Sequence, residues 1–327
     1  MTRPALSILL LALGAVLAAG LLLGETPLTL AQYGEAIAQP GSPAGEVIWT
    51  IRLPRALMAA LVGGGLGLAG AALQGLLRNP LADPGVLGVS AFAGLGAALT
   101  IALGLSALTG AVEAGALVGA LAAGLLVSGL AARFREPEAL ILLGVSLSAL
   151  GGALTALIFN FSPSPVATAE VMNWLLGSVA NRDLSDIVRA AIPMALGAGL
   201  CLWSARGLTM LTLGEETAAL SGLPMAALRT AAVAGAALLT GAGVAAAGVV
   251  GFVGLAAPHL VRPLAGDEPG RILAPSALAG AILLTAADLV ARVLPSEQEL
   301  KLGVVTALVG APLFALIAWR AARSWRA

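Results

Sequence analysis

The chain has 327 residues, of which 59% are hydrophobic and only 10% charged, and its formal net charge at pH 7 is zero. A water-soluble domain of this length needs a charged shell, usually about a quarter of its residues, so this composition excludes one and favours a protein embedded in lipid. The balanced charge gives no indication of nucleic-acid binding. The 42 glycines fit close packing between membrane helices.

Few residues could carry chemistry. Cys201 is the only cysteine and His259 the only histidine, which excludes an intrachain disulfide and a histidine-rich metal site. The only lysine, Lys301, is followed by Leu302, so the chain has no phosphate-binding loop of the form GxxxxGK(S/T). We therefore expect no catalytic site, no metal and no cofactor, and any ATP hydrolysis must occur in a separate chain.

Apolar stretches predict an all-α polytopic membrane protein, a single domain over residues 1–327, because a span needs roughly 20 apolar residues. The ten predicted spans are residues 4–24, 54–77, 90–109, 112–132, 139–160, 187–206, 230–250, 252–264, 272–293 and 302–320. A cleavable signal peptide is the competing interpretation of the first, whose length favours a retained helix. Residues 230–261 are too long for one helix, so we divide them near Gly251 and expect a short, broken eighth segment.

The positions of arginine and lysine predict the orientation of the spans. With ten spans, both termini lie on one side, and 11 of the 17 positive residues fall on that side. We expect this side to be cytoplasmic. The remaining six are many for an outer face, and three of them are Arg52, Arg55 and Arg292.

Two polar connections interrupt the apolar pattern. On the outer side, residues 161–186 are predicted to include a short surface helix at 169–178. On the inner side, residues 207–229 are predicted to contain a short helix, with Thr212 as its N-cap, Glu215 completing a capping box, and Gly222 and Pro224 ending it. A solvated connector and a docking element for a cytoplasmic protein both fit this second connection.

Several motifs together carry a resemblance to a known family. They are IRLPR at 51–55, GAALQGLLRNPLADPGVLGVS at 70–90, LGEETAALSGLP at 213–224, GFVGLAAPHLVR at 251–262, ADLVAR at 287–292 and GVVTALVGAP at 303–312. In this order, from about residue 50 to the C-terminus, they resemble the permease subunits of bacterial ABC importers for iron–siderophores, haem and vitamin B12, the FecCD-like family.

The resemblance implies the type II ABC importer permease architecture in the bacterial inner membrane, with both termini cytoplasmic. It implies a homodimer or a pair with a close relative, a cytoplasmic ABC ATPase and a periplasmic or lipid-anchored substrate-binding protein. The substrate would pass along the dimer axis. An iron(III)–siderophore complex is the first expectation, and haem or cobalamin are the alternatives.

The resemblance also assigns roles to individual residues. Arg52, Arg55 and Arg292 would contact acidic residues of the binding protein, although arginines at the lipid headgroup level give the same pattern. Residues 214–223 would form the helix that couples to the ATPase. Its polar contacts would be Glu215 and Glu216, its packing face Ala219 and Leu220, and its turns Gly214 and Gly222.

Asn79 and Leu81 would help close the cytoplasmic end of the pathway, with residues 135–138 as the other half, although a tight Asn-Pro turn explains Asn79 equally well. Asp288 has Arg292 four residues later on the same helix face, which favours a structural pair over a proton relay. We expect His259 to be a hydrogen-bonded packing residue.

The charged and polar residues of the chain do not fit two other classes of membrane protein. An ion-driven secondary transporter usually has charged groups at the bilayer midplane, whereas Asp288 lies near the end of its span. A membrane-embedded enzyme needs a histidine cluster, paired acids or an activated nucleophile, and none is evident. The predicted cytoplasmic helix at 214–223 also has no purpose in a self-contained carrier.

Overall fold

The computed structural model describes residues 3–131, 133, 137–162, 164–294 and 299–324, and every regular element in these ranges is helical. In chain order the α-helices are α1 (Arg3–Leu22), α2 (Leu30–Ala38), α3 (Pro43–Gly45), α4 (Leu53–Leu77), α5 (Val89–Ala102), α6 (Ala111–Ala131), α7 (Pro137–Phe161), α8 (Pro165–Leu175), α9 (Leu184–Trp203), α10 (Ala205–Leu211), α11 (Glu215–Leu220), α12 (Met225–Ala247), α13 (Val253–Ala265), α14 (Pro269–Val293) and α15 (Leu302–Ser324). A π-helical segment, Glu46–Arg52, joins α3 to α4 without a break.

Seven helices in the described part of the chain are long and apolar enough to cross a bilayer. They are α1, the continuous helix Pro43–Leu77, α6, α7, α9, α12 and α14. The other three predicted spans also contain helices, but α5 has 14 residues and α13 has 13, which is less than a bilayer crossing needs. The apolar part of α15, Leu302–Pro312, is also short.

Helix α4 is the centre of the fold and packs against α9, α12, α13 and α14. Its glycines permit this, because a Cβ at Gly63 would lie 2.3 Å from the carbonyl oxygen of Gly280, and one at Gly67 would lie 2.2 Å from that of Ser276. Real side chains do not approach so closely, so the backbones of α4 and α14 touch through small residues. This is the packing that lipid-embedded helices favour, since apolar attraction between them is weak.

The predicted division near Gly251 is observed: α12 ends at Ala247 and α13 begins at Val253. We call residues 248–252 the junction. Gly248 has a φ of 71° and Phe252 a φ of 66°, so both ends of the junction leave helical geometry.

Three backbone hydrogen bonds connect the chain just after α8 to the end of α12 and to the start of α15. The amide of Ser178, just after α8, donates to the carbonyl of Ala247 at 2.8 Å. The amides of Leu302 and Gly303, at the start of α15, donate to the carbonyls of Gly177 at 2.9 Å and Leu176 at 3.0 Å. The ends of α8 and α12 and the start of α15 are therefore linked directly through main-chain atoms.

Some predicted boundaries were wrong. The predicted span 90–109 ends as an α-helix at Ala102, because Gly104 has a φ of 71° and turns the chain. The outer surface helix is present but runs from Pro165 to Leu175 rather than over 169–178. The inner connection, predicted from residue 207, begins with helix α10.

Candidate docking and coupling sites

Arg52 is buried, with 3% of its surface exposed, and its guanidinium group binds main-chain oxygens near the end of α1. Nη1 donates to the carbonyl of Leu21 at 2.8 Å and Nη2 to that of Thr26 at 2.5 Å. Nη1 also lies 3.2 Å from the hydroxyl of Tyr33. A cation at a helix C-terminus interacts favourably with the free carbonyls there, so Arg52 fixes α1 and the loop after it.

Arg55 and Arg292 are buried on either side of Asp288. The Nη2 atom of Arg55 is 2.8 Å from Oδ1 of Asp288, and the Nη2 atom of Arg292 is 2.7 Å from Oδ2. Arg55 also forms an ion pair with Glu299. The predicted pair between Asp288 and Arg292 is present, and Arg55 on α4 extends it to a second helix.

We call Arg52, Arg55, Arg292, Asp288 and Glu299 the arginine cluster. The three arginines are buried, and their guanidinium groups contact their own chain rather than open solvent. Contact with a binding protein therefore stays a prediction. For such a contact, an arginine would have to exchange a carboxylate of its own chain for an acidic side chain of the binding protein. Glu299 is the member that such an exchange would reach, since 26% of its side chain is exposed.

The predicted coupling segment contains the short helix α11. Gly214 precedes it with φ 99° and ψ 150°, a conformation that favours glycine. Ala218 is buried against α10, whereas Glu216 and Ala219 are exposed and Leu220 is 89% exposed. The predicted packing face thus points away from the body of the protein.

One assignment in the coupling segment needs correction, and a second gains an internal contact. The predicted capping box is absent, because the Thr212 hydroxyl donates to the carbonyl of Thr209 at 2.7 Å and Gly214 is the N-cap, without a side-chain hydrogen bond. Glu215 forms an ion pair with Arg229 at the start of α12 but keeps part of its side chain exposed, so its contact with the ATPase stays a prediction. Glu215 is therefore an internal link between α11 and α12.

Asn79 and Leu81 lie in the turn between α4 and α5. The Asn79 side-chain oxygen accepts a hydrogen bond from the amide of Leu81 at 2.9 Å, which is an Asx turn. His259 on α13 donates through Nε2 to the carbonyl of Pro80 at 3.0 Å, as expected of a hydrogen-bonded packing residue. The turn interpretation of Asn79 is thus observed, and a gate remains a prediction. Arg135 and Glu136, in its other half, lie outside the described residues.

A second set of contacts holds α13 to α4. Gln74 accepts a hydrogen bond from Nη2 of Arg262 at 2.9 Å, and its amide nitrogen lies 3.5 Å from the carbonyl of Leu255. Sequence reasoning did not identify Gln74, although a lone polar residue inside a long apolar helix is a usable signal.

A cavity of about 470 Å³ lies between α5, α7 and the junction. Its wall is mostly apolar, with a few hydroxyl groups, including those of Ser90, Ser148 and Thr155. Thr240 contributes a buried hydroxyl that has no hydrogen-bond partner among the described residues. A second cavity of about 610 Å³ adjoins the other side of the junction, between α8 and α15.

These features define a polytopic helical membrane protein with a short helix, α11, that is largely exposed, and with a buried arginine cluster. The model of the FecCD transport family matches residues 9–320, and the chain belongs to this family. It is therefore a permease subunit of an ABC importer.

The chain is also similar in sequence to named permease proteins. The chain is 40% identical over 298 residues to the vitamin B12 import system permease protein BtuC of Escherichia coli O157:H7 (strain EC4115 / EHEC), covering 89% of this chain and 90% of that one. It is 38% identical over 300 residues to the uncharacterized ABC transporter permease protein YvrB of Bacillus subtilis (strain 168), covering 90% and 84%.

Among solved structures, the fold is similar to an inward-facing conformation of a metal-chelate type ABC transporter. The TM-score is 0.87 at 32% identity, and the match covers 98% of this chain and 100% of that one.

Proposed function

We propose that this permease imports an iron(III)–siderophore complex across the bacterial inner membrane, as one of two permease chains around a central pathway. The observation that carries the proposal is the largely apolar cavity between α5, α7 and the junction, which has hydroxyl groups but few charges. A bulky chelate encloses its metal ion in organic ligand atoms, so it can move along a largely apolar wall without binding tightly to it. The likeness to a metal-chelate type transporter supports this choice.

Cobalamin is the second candidate, because the vitamin B12 permease is 40% identical to this chain. Cells without their own importers, expressing this chain with its ATPase and binding protein, would be given either a ⁵⁵Fe-loaded siderophore or ⁵⁷Co-labelled cobalamin. Uptake of iron alone is expected. Uptake of cobalamin alone would overturn the first assignment and support the second.

We further propose that a separate cytoplasmic ATPase binds the coupling segment. The support is Leu220, which is 89% exposed in a connection between two predicted spans. Burying an exposed leucine side chain against a partner would stabilise the complex by about 1.5–3 kcal/mol. Glu216 lies on the same short helix and is exposed too.

The double variant Glu216→Arg/Leu220→Asp tests this assignment, with Thr212→Ala as an exposed control in the same connection. In proteoliposomes the double variant should lose ATP-driven uptake while the permease still folds and reaches the membrane. Normal uptake by the double variant would contradict the ATPase contact.

For the binding protein, we propose docking at the arginine cluster, where an acidic side chain of the partner competes with Glu299 for Arg55. Reversing the arginines would disrupt the fold, because they are buried. Glu299→Gln is the cleaner test: it should raise the affinity for the binding protein several-fold at low salt. An unchanged affinity would count against docking at Arg55.

A further inference from the structure

A single acidic side chain lines the cavity of about 470 Å³ between α5, α7 and the junction. It belongs to Asp83, in the turn between α4 and α5. Within the described part of the chain, no arginine, lysine or histidine lines this cavity or the one of about 610 Å³ on the other side of the junction. The wall of the two cavities therefore has one negative group and no positive group to balance it.

Main-chain amides hold the carboxylate of Asp83 in place. Oδ1 accepts a hydrogen bond from the amide of Gly85 at 2.8 Å, and the amide of Leu255, in the first turn of α13, donates to the carboxylate as well. The side chain is partly exposed and forms no ion pair within the described residues. A carboxylate has sites for about four hydrogen bonds, so Asp83 can still accept one from a molecule in the cavity.

The other polar groups of the wall do not distinguish positive from negative ligands. They are hydroxyls, including those of Ser90, Ser148 and Thr155, and a hydroxyl can either donate or accept. Asp83 is different, because it attracts a cation and repels an anion, and both effects are strong where apolar walls leave little water to screen them. The sign of the charge on a ligand therefore matters at this one residue.

We propose that the cavity admits ferric chelates without net negative charge and disfavours anionic ones, with Asp83 as the residue that determines this selectivity. The inference rests on the proposed import of an iron(III) chelate. Three hydroxamate groups, each with one negative charge, balance the charge of iron(III), whereas three catecholate groups leave the complex strongly anionic. The expected substrate class is therefore a trihydroxamate chelate, and an ammonium group on such a chelate would lie against Asp83.

The test compares three forms of one trihydroxamate chelate, ferrioxamine B, that differ only at the end of the molecule. The ammonium form is cationic, the N-acetyl form neutral and the N-succinyl form anionic. Equilibrium dialysis of the ⁵⁵Fe-labelled forms against the permease with its ATPase in nanodiscs measures affinity without the binding protein and its own selectivity. The wild type should bind the anionic form about tenfold more weakly than the cationic form, as expected for a lost charge-assisted hydrogen bond.

Two variants assign the preference to one side chain. Asp83→Asn removes the charge and keeps an oxygen for the Gly85 amide, so the affinities for the cationic and anionic forms should differ by less than about twofold. Asp267→Asn is the matched control, because this side chain is 91% exposed and lines neither cavity. The tenfold preference should persist in the control.

The affinities and the uptake experiment together separate this inference from the proposed function. Equal affinities of the wild type for the three forms, a preference for the anionic form, no binding of any form, or an unaltered preference in Asp83→Asn would each overturn the charge selectivity. Iron uptake combined with equal affinities would overturn the charge selectivity alone. Uptake of cobalamin alone would overturn the import of an iron chelate and, with it, this substrate class.

Discussion

Asp288 on α14 accepts hydrogen bonds from Arg55 on α4, at 2.8 Å from Nη2 and 3.0 Å from Nε, although 233 positions separate the two residues. The same carboxylate pairs with Arg292. One negative charge therefore serves two buried cations, and Glu299 adds a second carboxylate at the edge. This arrangement joins the central helix to α14 through charge as well as through glycine packing.

Asp288→Asn should destabilise the protein strongly. It leaves Arg55 and Arg292 buried with a neutral neighbour, and breaking a buried ion pair in this way costs about 3–5 kcal/mol. Thermal unfolding in detergent, followed by size-exclusion chromatography, measures the loss. Glu299→Gln is the control, with an expected change below about 1 kcal/mol, because its side chain is partly exposed. Equal melting temperatures for Asp288→Asn and wild type would contradict the structural role.

Gly67→Ala should separate α4 from α14. The new methyl group would lie 2.2 Å from the carbonyl oxygen of Ser276, so one backbone must move. Gly64→Ala is a matched control on the same helix, because its Cβ would be 3.4 Å from the nearest atom, the carbonyl oxygen of Ala277. We expect a loss of about 1–3 kcal/mol for Gly67→Ala, and much less for Gly64→Ala. Similar unfolding of the two variants would refute close packing at this position.

Asp83→Asn should stabilise the protein at neutral pH. Burial raises the pKa of Asp83, an effect that outweighs the hydrogen bonds from the amides of Gly85 and Leu255. The pKa of Asp83 is therefore higher in the folded protein than in the unfolded chain, where it is about 3.9. The protonated acid contributes its full share to the folding stability below a pH of about 3.9, and this share is lost as the pH rises through the folded-state pKa. Asparagine stays neutral and can still accept from the Gly85 amide.

The measurement is the melting temperature of Asp83→Asn and wild type between pH 4.5 and pH 8. The variant should be more stable at the upper end, with the difference shrinking toward the acid end. A difference that does not depend on pH would show that ionisation of Asp83 is not responsible.

Glu215→Gln should loosen the coupling segment without unfolding the protein. The substitution removes the ion pair with Arg229, so α11 loses a link to α12. Limited proteolysis should cut residues 212–224 several times faster, while the melting temperature changes little. Glu216→Gln serves as the comparison, because this side chain is exposed and its loss should leave the cleavage rate unaltered.

Local patterns in the sequence predict the helices well, since membrane helices depend on length and hydropathy, which are readable along the chain. They fail where the φ angle of a single residue determines where a helix begins or ends. Gly104 ends α5 early, and Gly214 replaces the expected Thr212 cap, because both glycines adopt positive φ values. The partners of Arg52 and Arg55 were also missed, since main-chain carbonyls and Glu299 meet them only through tertiary packing.

The main-chain hydrogen bonds near the junction have a mechanical consequence. Because the amides of Ser178, Leu302 and Gly303 tie three helix ends together, those ends cannot slide past one another without breaking backbone contacts. The connection between α15 and the end of α12 runs through residues 176–178, so a displacement of α15 would pull on the end of α12 through these bonds. Val249 and Gly251 of the junction line both cavities, so the bonded helix ends lie directly beside the two spaces.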